Sequence, residues 1–145
     1  MAHPLPLPGR FMNKLIVRRL EDGVLLPLQT LMGRLCLTEV SRWRLLDVEL
    51  FARAPFHFPV TEFEENTKTF KGGLTLSHHE FEDLLEQLPQ VIDGEIHGLS
   101  CDTIEPLVRI ECQDAGQWEI STTSKALYLR LRQQLGDWLF SEVIS

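Results

Sequence analysis

The sequence predicts an α+β fold: a largely antiparallel sheet with two helices packed on one face. Three observations lead there. Short apolar segments with period two recur along the chain, residues 78–88 and 124–143 carry helical stripes, and strand and helix signals do not alternate as they do around a parallel sheet. At 145 residues the chain has the usual size of one domain. Neither an internal repeat nor a low-complexity linker divides it. The expected organisation is a Pro-rich extended arm over residues 1–11 and a single α+β domain over residues 12–145.

The arm alternates Leu with Pro4, Pro6 and Pro8, which favours a polyproline-type conformation; Met12 is a second candidate start. Residues 14–20 read as a strand led by Leu15, Ile16 and Val17. Asp22-Gly23 supplies the positive φ of a hairpin turn, and residues 24–31 read as the returning strand, at an edge or broken because Pro27 has no N–H for a ladder. Residues 34–38 form a further short strand candidate. Residues 41–54 alternate at Leu46, Val48, Leu50 and Ala52, which favours strand, although Trp43, Leu46, Leu50 and Ala54 also fit one helical face. Residues 56–60 read as extended after Pro55.

Residues 67–76 read as a strand in which Gly72-Gly73 permits a bulge or a close backbone approach. Ser77-His78-His79-Glu80 is a capping box, and Phe81, Leu84, Leu85 and Leu88 follow as one apolar stripe until Pro89. Residues 91–96 read as a short strand. Residues 107–112 and 118–122 read as a hairpin closed by residues 113–117, with Val108, Ile110 and Cys112 on one face. The last helix is expected over 124–143, capped by Thr123 or Ser124, with a stripe of Leu127, Leu131, Leu135, Trp138, Leu139 and Val143. Gly136 weakens that helix.

Charge is the most informative part of the composition. Residues 1–60 carry 8 Lys/Arg against 5 Asp/Glu, residues 61–120 carry 3 against 14, and residues 121–145 carry 3 against 2. An acidic middle between mildly basic ends gives a polarised field suited to a basic protein partner. The net charge of −7 disfavours nucleic acid, and Arg18, Arg19, Arg42, Arg44 and Arg53 read as scattered solubilising residues. No apolar run approaches the roughly 20 residues of a membrane span. The N-terminus lacks the charged start and apolar core of a signal peptide. Cys36, Cys101 and Cys112 form neither a short-spaced pair nor an even set, so reduced thiols in a cytoplasmic protein are expected.

No motif names a reaction. Nucleophile elbow, phosphate loop and Cys-x-x-Cys are all absent from the sequence. His78/Glu82 and His79/Asp83 have the spacing of two ligands on one helical turn, but no obvious third ligand follows, and acidic residues in a first turn ordinarily complement the helix dipole. No metal or cofactor is therefore expected.

The expectation is a non-catalytic protein-binding domain, of the kind found in a bacterial-type acidic inhibitor or immunity protein covering a basic surface. The contact residues would be Glu62, Glu64, Glu65, Glu82, Asp83 and Glu86. A secretion chaperone or adaptor shares these features. A small enzyme using His78, His79 and Glu82 is the alternative of another class. A third reading is a homo-oligomer joined through the C-terminal helix, where Trp138, Leu139, Phe140 and Val143 offer more apolar surface than one stripe needs.

Overall fold

The computed structural model describes residues 13–51, 58–100 and 105–144. The Pro-rich arm, Arg53, Cys101 and, of 56–60, residues 56 and 57 lie outside these. In chain order the elements are β1 (Lys14–Val17), β2 (Leu20–Glu21), β3 (Val24–Leu25), α1 (Leu28–Leu35), β4 (Arg42–Phe51), α2 (Val60–Asn66), β5 (Leu74–Ser77), α3 (His78–Leu85), β6 (Gln90–Leu99), β7 (Pro106–Gln113), β8 (Gln117–Ser121), α4 (Lys125–Leu135) and β9 (Ser141–Val143). Seven strands form one sheet in the order β5-β4-β6-β7-β8-β1-β9, and β2-β3 is a separate hairpin. Every neighbouring pair is antiparallel. The α+β class read from the sequence is the observed one.

One face of the sheet carries Leu15, Val17, Trp43, Leu45, Ile96, Val108, Ile110, Trp118 and Ile120. These merge into a single core with Leu28, Leu31 and Leu35 of α1, Phe81 of α3 and Leu127, Leu131 and Leu135 of α4. Apolar side chains two apart on a strand and three to four apart on a helix can only meet in this way. The first helix was not expected. Residues 28–35 continue no strand, because Pro27 ends the ladder and Leu28, Leu31 and Leu35 share one helical face. The expected strand at 34–38 is the end of that helix, where Cys36 takes a left-handed φ of 51° and its N–H donates to the Met32 carbonyl.

Three other expectations are corrected. The strand at 67–76 begins only at Leu74, since Thr69–Lys71 is a 3-10 turn and Gly72 and Gly73 have φ of 87° and 76°. The close approach expected there is real: a Cβ on Gly73 would lie 2.7 Å from the Leu45 carbonyl oxygen. Val60, expected as the end of an extended segment, instead opens the helix Val60–Asn66, which seats Phe63 in the core. The final helix stops at Leu135, and Ser141–Val143 returns as an edge strand on β1. The apolar residues 138–143 therefore do not lie on the helix that the self-association reading used.

The second face is polar and ordered in rows. Arg44, His97, Arg109, Ser121 and Lys14 are successive register partners across β4, β6, β7, β8 and β1. Two residues along, Glu95, Glu111 and Glu119 oppose one another. Like charges directly across strands repel. The neighbouring row offsets this: Lys14 Nζ lies 3.0 Å from Glu119, Arg109 lies 3.1 Å from Glu111 and 3.4 Å from Glu95, and His97 lies 3.1 Å from Glu95.

Candidate functional site: a cleft between two helices

The site grows from the start of α3. The Ser77 hydroxyl accepts from the Glu80 N–H at 3.1 Å, and Glu80 accepts from the Ser77 N–H at 2.8 Å. This reciprocal pair sets the first turn. It aims His78 at the sheet, where Trp43 Nε1–H donates to His78 Nδ1 at 3.2 Å. Nδ1 therefore holds a lone pair, and in the neutral imidazole Nε2 carries the proton and lies 3.4 Å from a Glu82 oxygen. Below it Phe81 stacks on Trp43, with centroids 4.6 Å apart and planes at 23°. His79, by contrast, is exposed and 3.5 Å from Asp83.

Opposite this wall stands α1, contributing Gln29, Met32, Gly33 and Cys36. Together the two helices enclose a cleft of about 560 Å³. Its acidic residues, Glu82, Asp83 and Glu86, all belong to α3 and its C-cap, and among the described residues no Lys or Arg lines it. Cys36 stands exposed at the cleft with a free thiol.

The structure divides the six expected contact residues. Glu82, Asp83 and Glu86 share the cleft, whereas Glu62, Glu64 and Glu65 sit on α2 and do not line it. Glu64 is engaged within the fold, accepting from the Leu50 N–H at 2.9 Å at the point where β5 no longer pairs with β4. Glu65 pairs with Lys71 at 2.9 Å, and the Lys71 ammonium holds its carboxyl below the ordinary range. Glu62 is exposed.

Among the described residues no group of three His, Cys, Asp or Glu is placed to hold a metal ion. His78/Glu82 and His79/Asp83 are thus two i,i+4 pairs without a third donor. The α1 wall was missed in the sequence because its residues were read as strand. The signal lay in the spacing of Leu28, Leu31 and Leu35, masked by the apolar run that precedes it. Among the described residues no helix is long and apolar enough to cross a membrane. Comparison with protein-family models, with curated proteins and with solved structures finds no match to this chain.

Proposed function

We propose that this chain is a non-catalytic protein-binding domain that seats a basic surface of its partner against the α1–α3 cleft, as an inhibitor or immunity protein would. A secretion chaperone or adaptor is the same physical proposal with a different client. The observation that carries the reading is the gathering of Glu82, Asp83 and Glu86 on one wall of a concave site that no described Lys or Arg lines. Carboxylates so arranged speed encounter with a basic partner and select its orientation. Free thiols at Cys36 and Cys112 fit a cytoplasmic location.

The test is an affinity pull-down from source lysate with three baits. They are the wild type, Glu82→Lys/Asp83→Lys/Glu86→Lys, and Glu62→Lys/Glu65→Lys, with Glu64 left intact because it bonds the Leu50 N–H. A basic protein kept by the wild type and lost by the cleft variant is the expected result. Loss only with the α2 variant would move the contact to α2. Equal retention by all three would end the acidic-contact reading.

One observation favours a second reading, a small enzyme. His78 is held by Trp43 with Nε2 toward Glu82 inside a cleft, an orientation that suits general acid–base work. A turnover lost on His78→Gln with the partner still bound would favour it.

A further inference from the structure

Resting on that reading of the cleft, we infer that its occupant is a basic amphipathic α-helix lying along a groove between α1 and α3. A second cavity of about 230 Å³ continues the first toward Pro89 and Val91. The two share Gln29, Leu85 and Glu86, so they form one groove running past the whole of α3. Eight residues of helix span about 12 Å. With the turn after α3 the groove is on the order of 15–20 Å long, about three turns of a docked helix.

Its cross-section sets the chemistry. Met32, Leu85 and Leu88 provide apolar lining, Glu82, Asp83 and Glu86 stand on the α3 side, and the described α1 side is uncharged. A helix with an apolar stripe and Lys/Arg along one flank matches both features. The α1 and α3 walls are helical and offer an extended segment no ladder along their length, whereas a helix satisfies its own backbone; the strand residues Val24 and Leu25 of β3 and Val91 of β6 line only the second cavity, at the far end.

Gly33 is the independent observation. It lies inside α1, lines the cleft, and has no positive φ. A Cβ placed on it would meet nothing within 4 Å. Neither conformation nor packing among the described residues calls for glycine there, and glycine weakens a helix interior by about 1 kcal/mol relative to alanine. What its missing side chain does provide is a low point in the α1 wall, where a second helix can approach closely, as small residues permit at helix–helix contacts.

The test uses three synthetic probes of about 14 residues. One is a Leu/Lys peptide with its leucines spaced for one helical face. The second has Leu and Lys in strict alternation. The third is the helical pattern with Glu in place of Lys. Labelling of Cys36 by a thiol reagent is followed in a Cys101→Ser background, Cys112 being buried. The expected result is labelling about tenfold slower with the helical Leu/Lys peptide at ten times its Kd. The other two should have little effect, and Gly33→Leu should abolish the protection while raising the stability of the free protein.

Equal protection by the alternating peptide would overturn the helix assignment and leave the basic-partner reading standing. Protection by the Glu peptide would overturn both. No protection by any probe, or full protection in Gly33→Leu, would overturn the groove inference, and the pull-down alone would then decide the basic-partner reading.

Discussion

Thr67 shows how a single hydroxyl holds the end of β4 in place. It is wholly buried, and its Oγ1 accepts from the Val48 N–H at 3.0 Å while donating to the Glu64 carbonyl at 2.9 Å. Its own carbonyl accepts from the Asp47 N–H at 2.7 Å. These bonds sit where the β4–β6 register shifts and Asp47 takes a φ of 49°. Asp47 in turn accepts from the backbone N–H and the hydroxyl of Thr69, which hold its carboxyl below the ordinary range. Thr67→Val keeps the shape and removes the partner of a buried N–H. We expect it to destabilise the fold by about 1–3 kcal/mol. Urea unfolding read by Trp43 and Trp118 fluorescence measures this, and an unchanged midpoint would show that the Val48 N–H finds another acceptor. Thr67 was read in the sequence only as the start of a strand. Nothing in a lone Thr signals such a role, because the N–H groups it accepts from, those of Asp47 and Val48, lie about 20 positions earlier in the chain.

At the scale of elements, legibility followed the locality of the cause. The capping box of α3 and the turn residues of both hairpins are set within a few residues, and each stands where the sequence placed it. The terminus of α4 is also local. Its C-cap, Gly136, has φ 54° and ψ −123°, a conformation open to glycine and strained for L residues. The apolar spacing of Trp138, Leu139 and Val143 outweighed that signal in the sequence reading. In the structure those residues serve other contacts: Trp138 stacks under the guanidiniums of Arg19 and Arg34, at 5.0 and 4.3 Å, and Val143 pairs opposite Lys14. Arg34 also donates to the Gln134 carbonyl at 2.7 Å, capping the helix from another element. Gly136→Ala should cost about 1–3 kcal/mol through backbone strain, since its Cβ has room, with Arg34 Nη2 nearest at 3.6 Å. Thermal unfolding tests it; a rise in Tm together with gained helical ellipticity would mean the helix can run on through residue 136. The charged rows of the second sheet face needed more than local information. The period-two pairs Glu95/His97 and Arg109/Glu111 are visible in the sequence, but only the register of five strands aligns like charges into rows.

The whole molecule inherits a pH profile from these bonded groups. Hydrogen bonds from Arg130, His97 and Tyr128 hold Glu39, Glu95 and Glu142 below the ordinary carboxylate range. Burial pushes Glu119 up, but Lys14 and Gln117 outweigh it, and its carboxyl is also held low. A carboxylate with a lower folded than unfolded pKa adds stability above its unfolded value near about 4. That stability is lost as the pH falls through the folded value, because the unfolded chain then binds more protons. The alkaline side has the opposite sign. Burial pushes the Cys112 thiol up to about 12, and burial with the Glu142 hydrogen bond pushes the Tyr128 hydroxyl up to about 12. Between their ordinary values near about 9 and 10 and those folded values, the folded protein binds more protons, so stability falls as the pH rises. The urea midpoint should therefore be nearly flat from about pH 5 to 8 and fall on both sides. Tyr128→Phe should remove the part of the alkaline fall that begins near about pH 10 and leave the part due to Cys112. A midpoint that climbs between about pH 5 and 3 would contradict the acid limb, since it would mean that repulsion among Glu95, Glu111 and Glu119 outweighs the bonds that hold them.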